Sequence, residues 1–165
     1  MTYRRVMASR SRPTGEDRAS VIRIALSGIA RGDDPGDIAD RLAPFHPRNN
    51  TFPAEVLLEL AADAIELAGA SRDAPIEFEG IRERYLPEAV AHTPAQHHKS
   101  KFALRAAAML RGGVDPGLLD EVTWWRTDDV WFWSLEAFVV YVRVAADRTG
   151  EPIETVCRRL AERRR

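Results

Sequence analysis

Between His92 and Lys101 the chain gathers both of its lysines and three of its four histidines. This segment leads into a helical run, 94–111, opened by Thr93-Pro94, with Thr93 and Gln96 spaced as a capping box in which each side chain satisfies the other's backbone N–H. His97 and His98 fall in the first turn, and His98, Lys101 and Arg105 repeat at intervals of three and four, which places them on one helix face. Cationic side chains beside the positive end of a helix suit an anion. His97, His98, Lys101 and Arg105 are therefore the candidate ligand-binding residues, with an anionic small molecule as ligand. A metal would call on His92 with His97 or His98, but no acidic ligand is spaced to complete the set, and neither metal nor cofactor is assigned. The plainer alternative is a polar helix face paired with acids such as those of the helix predicted at 53–69.

The second constellation is aromatic. All four tryptophans lie in the ten residues Trp124 to Trp133. Side chains so closely spaced on a helix cannot all point inward. Most of the cluster belongs to the core, and Trp124, Trp125 and Arg126, ahead of the long helix, are the candidate interface residues, because tryptophan and arginine are favoured anchors of protein contacts.

A third group is acidic. Glu55, Glu59, Asp63 and Glu66 line one stripe of the 53–69 run. A di-iron carboxylate bundle would also need Glu-x-x-His pairs, and none occurs in the sequence. The stripe reads as a solvated outer face. The same acids argue against nucleic acid: Asp34 to Ala43 faintly resembles the first helix of a helix-turn-helix, but a recognition helix at 53–69 without a single Arg or Lys would repel phosphates. The connection from Pro44 to Asn50 is also too long for the usual tight turn. No P-loop, GxGxxG, GxSxG or HExxH pattern is present. The single Cys157 excludes an intrachain disulfide and a multi-cysteine zinc site.

These residues must be carried by helices, since apolar residues recur with helical period and proline marks helix starts at Pro35, Pro94, Pro116 and Pro152. The predicted helices are 16–31, 35–43, 53–69, 79–91, 94–111, 116–122, 129–147 and 152–163. Only Ala74 to Phe78 alternates as a strand would, and it is too short to seed a sheet. The expectation is an all-α fold: a flexible basic arm at 1–15 and one compact domain at 16–165, with seven or eight helices. A long Trp-rich helix at 129–147 forms its centre, Trp131, Leu135, Phe138, Val142 and Ala145 sharing one face.

Of the 165 residues 45% are hydrophobic and 30% charged, which excludes a disordered chain. The basic residues are 22 arginines and two lysines, a bias that a GC-rich coding genome produces by itself. Net charge is −1, but residues 1–20 and 143–165 each carry +3 and the body between them −7. The arginines at both ends read as solvated tails. No secretory signal is evident, and Glu136 and Arg143 interrupt the most apolar stretch, so the expected location is the cytoplasm, away from the membrane. The function read from these features is non-enzymatic: a protein partner or self-association through Trp124, Trp125 and Arg126, in an adaptor or regulatory role. Anion binding at the His97/His98 cluster is the alternative, and an enzyme using the same histidines the third reading.

Overall fold

The computed structural model describes residues 14–48, 52–69, 76–77, 79–88, 93–111 and 130–164. They form seven α-helices and one 3-10 helix, with no strand among the described residues. The chain is an all-α single domain.

Helix α1 spans Gly15–Ala30 and starts from a reciprocal cap. Asp17 N–H donates to Thr14 Oγ1 at 3.1 Å, and Thr14 N–H donates to Asp17 Oδ2 at 3.0 Å. Two of the four backbone donors that a helix leaves unpaired are thereby answered by side chains. Val21, Ala25 and Ile29, at intervals of four, form the buried stripe of α1. The next helix, α2 at Pro35–Leu42, begins with proline at its first position and buries Ile38, Ala39 and Leu42. The two helices meet at Gly28, where a Cβ would stand 2.6 Å from Ile38 Cγ1 and 2.9 Å from Cδ1, so glycine is what permits the approach. A 3-10 helix at Ala43–Arg48 follows, its Pro44 and Pro47 withholding two of the N–H groups that a longer α-helix would require.

Helix α3, Phe52–Leu67, is buried on most sides. It lies against α6, Val130–Thr149, in the most extensive helix pair among the described residues, and α5, Pro94–Arg111, packs on both. Helices α1 and α2 and the last helix α7, Ile153–Arg163, complete the enclosure. Leu135, Phe138, Val142 and Ala145 of α6 are fully buried, as their shared face predicts, whereas Trp131 is half-buried. Burial of side chains the size of Leu135, Phe138 and Val142 contributes about 1.5–3 kcal/mol each. Tyr141 is sealed in the same core and donates its hydroxyl to the Leu104 carbonyl at 2.6 Å, which removes the cost of an unpaired phenol.

The helix expected at 79–91 is shorter than its periodicity implies. Helix α4 is only Ile81–Tyr85. Leu86 leaves helical geometry at φ −134° and ψ 54°, because the following proline ring disfavours the α conformation in the residue before it. The predicted helix at 116–122 and Trp124, Trp125 and Arg126 lie outside the described residues, as does the basic arm up to residue 13. Thr14 and Gly15, assigned to that arm from sequence, instead cap and open α1.

Candidate functional site

Helix α5 carries the four candidate ligand residues, and its pattern explains where each one points. Ser100, Ala103, Leu104, Ala106 and Ala107 are buried against the neighbouring helices. The opposite side presents His98, Arg105 and Met109 in the open, with Phe102 half-buried between them. Positions 98, 102, 105 and 109 step by four, three and four, so they form one stripe along the helix. Met109 is 44% exposed and is the one exposed large apolar side chain among the described residues.

The amino end of α5 keeps little capacity for an anion. The capping box predicted there is present: Gln96 N–H donates to Thr93 Oγ1 at 3.3 Å, and Thr93 N–H donates to Gln96 Oε1 at 3.0 Å. Pro94 brings no N–H, so at most Ala95 offers a donor among the first three helical positions. Lys101 is half-buried and turns to Glu79, with Nζ 3.3 Å from Oε2. His98 and Arg105 are seven residues apart, about 10 Å along the helix axis at 1.5 Å per residue. They line an extended surface and do not converge on one small anion. His97 is exposed beside them.

The acidic stripe of α3 is not the wholly solvated face expected of it: Glu59, Asp63 and Glu66 pair with arginines of α1 and of the end of α7. Arg164, at the end of α7, reaches Asp63 Oδ2 with Nε at 2.7 Å and Nη2 at 2.6 Å, and Glu59 Oε2 with Nη1 at 3.3 Å. Glu59 also accepts from Arg18 of α1, and Arg163 pairs with Glu66 at 3.2 Å. Arg159 pairs with Glu151 at 2.6 Å. The terminal arginines expected as solvated tails are thus, at 159, 163 and 164, docked side chains; two of them tie α7 to α3.

A buried polar cluster that the sequence reading did not single out lies where α4, α5 and α6 meet. Arg82 Nε donates to Glu136 Oε1 at 2.6 Å and Nη2 to Oε2 at 3.4 Å, and the Ser100 hydroxyl donates to Oε1 at 3.4 Å. All three residues are buried. The signal available in the sequence was Glu136 itself, a carboxylate within an otherwise apolar helix face, since a buried charge requires a paired partner. Around this cluster Tyr85 donates its hydroxyl to Asp147 at 2.7 Å, which pushes the phenol above its usual pKa. Arg143 donates to the Tyr85 carbonyl at 2.8 Å and pairs with Glu88 at 2.6 Å.

Two further reactive groups are also held in the structure. Asp33 accepts from Arg41 and Arg31, and those hydrogen bonds hold its carboxyl below the usual range. Cys157 is buried, and desolvation raises its thiol to about 11. Among the described residues no group of three or more His, Cys, Asp and Glu is placed to hold a metal, and no helix is long and apolar enough to cross a membrane. His92, the other half of the metal reading, lies outside the described residues. No family model, curated protein or solved structure matches the chain.

Proposed function

We propose that this chain is a non-enzymatic, cytoplasmic adaptor or regulatory protein that binds a protein partner through the outward stripe of α5. The observation that carries the reading is Met109, a large apolar side chain left in the open at the end of a stripe that also holds Arg105 and His98. From His98 to Met109 the stripe runs about 16 Å, three helical turns, a length suited to a partner's helix or loop. Methionine adapts its shape to a partner, and arginine is enriched at protein interfaces. Trp124, Trp125 and Arg126 follow α5 in the sequence and supply the further anchors expected of such a contact.

The small-anion reading receives less support. The stripe is elongated, the N–H groups at its start are largely answered by the capping box, and Lys101 is turned to Glu79. The test is a titration of the partner, recovered by co-purification from the native host, against the wild-type chain and the Met109→Glu and Arg105→Glu variants. Each variant is expected to weaken binding by about tenfold or more, the loss typical of an interface anchor. Affinity unchanged in both variants overturns the placement on α5. A melting temperature raised by phosphate or nucleotides, with no protein partner recovered, supports the anion site instead.

A further inference from the structure

Helix α4 is five residues long, too short to persist without its neighbours, and its neighbour is chiefly α6. Two apolar side chains, Ile81 and Leu86, anchor it at either end. The half-buried Tyr85 also packs on the core between them, and polar contacts add to the attachment. Beneath it lies the Arg82–Glu136 pair, and along its rim are Tyr85 to Asp147, Arg143 to the Tyr85 carbonyl, and Arg143 to Glu88. Both ends also carry a break in the backbone. Gly80, at φ +69°, holds a left-handed conformation that glycine adopts freely, and Leu86-Pro87 interrupts the helix on the other side.

We propose that α4 is a hinged strap, released from α6 as a unit between Gly80 and Pro87 while the helical core around α3 and α6 stays folded. Release takes the Arg82 guanidinium off Glu136 and uncovers the junction of α5 and α6 at Ser100. A segment with few apolar anchors and many polar ones belongs to the low-stability end of a fold, where local opening precedes global unfolding. The strap therefore gates access to a buried carboxylate and hydroxyl that the closed molecule keeps from solvent. This inference is independent of the contact proposed for the outward side of α5.

Native-state hydrogen exchange on the full chain tests it. The reporters are the Arg84 N–H, bonded to the Gly80 carbonyl at 3.1 Å, and the Leu86 N–H, bonded to the Arg82 carbonyl at 2.7 Å. Both are expected to exchange at least about tenfold faster than the amides of Val139 to Val142 in α6, as a sub-global opening requires. Tyr85→Phe and Glu88→Gln, which leave the buried pair intact, are each expected to speed the two reporters by about fivefold, the effect of one hydrogen bond, without moving the α6 amides. Equal protection in α4 and α6, or an acceleration shared by both, overturns the strap. Fast exchange that neither rim variant changes overturns it as well.

Discussion

Replacing Arg82 with methionine isolates the energetics of the polar cluster beneath α4. The side chains of Arg82 and Glu136 are only 9% and 6% exposed, so the guanidinium and carboxylate neutralise each other largely out of water. Arg82→Met removes the cation, while the carboxylate keeps the Ser100 hydroxyl at 3.4 Å. Removing one member of such a pair costs about 3–5 kcal/mol, against a total stability of about 5–15 kcal/mol for a domain of this kind. Replacing both members is different. Arg82→Met/Glu136→Leu fills the same space with apolar groups, leaves neither member of the pair without the other, and is expected to recover most of the loss. Urea unfolding followed by tryptophan fluorescence reads all four corners of the cycle, provided the slope with denaturant stays constant. The expected coupling is about 2–4 kcal/mol, with the double variant more stable than Arg82→Met alone. Losses that add, or a single-variant loss below about 1 kcal/mol, would refute the assignment of this pair as desolvated and mutually dependent.

Three further perturbations probe other contacts. Gly28→Ala places a Cβ 2.6 Å from a side-chain carbon of the fully buried Ile38. Overpacking costs about 1–3 kcal/mol and helix propensity returns about 1, so urea unfolding should show a net loss of order 1 kcal/mol, whereas Gly15→Ala, with nothing within 4 Å, loses none. Arg164→Ala breaks contacts to both Asp63 and Glu59, all partly exposed; a loss of about 1 kcal/mol at low salt, shrinking at high salt, is expected in the same assay. Burial raises the Cys157 thiol from 9.0 to about 11, so the unfolded chain ionises first and stability falls as pH rises from 9 towards 11. Cys157→Ala should fall less steeply over that interval, and an unchanged slope would contradict the assignment.

What the sequence makes legible is what neighbouring residues decide. Pro35 and Pro94 start helices because their missing N–H groups fall where no intrahelical partner exists, and Thr93 with Gln96 closes the predicted capping box. The stripe of α6 is equally plain, since one face of a 3.6-residue repeat must go inward. Helix α4 shows where periodicity misleads: apolar spacing continues past Leu86, but Pro87 governs the backbone. The polar contacts were hidden for another reason. Arg82 and Glu136 are 54 residues apart and Arg164 and Glu59 are 105 apart, so their pairing follows from the packing of α4 on α6 and of α7 on α3 and not from any local pattern. The packing of α5 on α3 and α6 leaves Met109 outward, and Lys101 turns aside to Glu79, which shifts the reading of α5 from a cluster of cations to a mixed surface stripe.

The central claim, a protein contact on the outward stripe of α5, is tested most directly by site-specific photo-cross-linking in the native host. A photoreactive amino acid would replace Met109 in one chain and Arg23, exposed on α1, in another. The account predicts a discrete adduct with one partner protein from position 109 and none from position 23. No adduct from 109, or the same adducts from both positions, would contradict it.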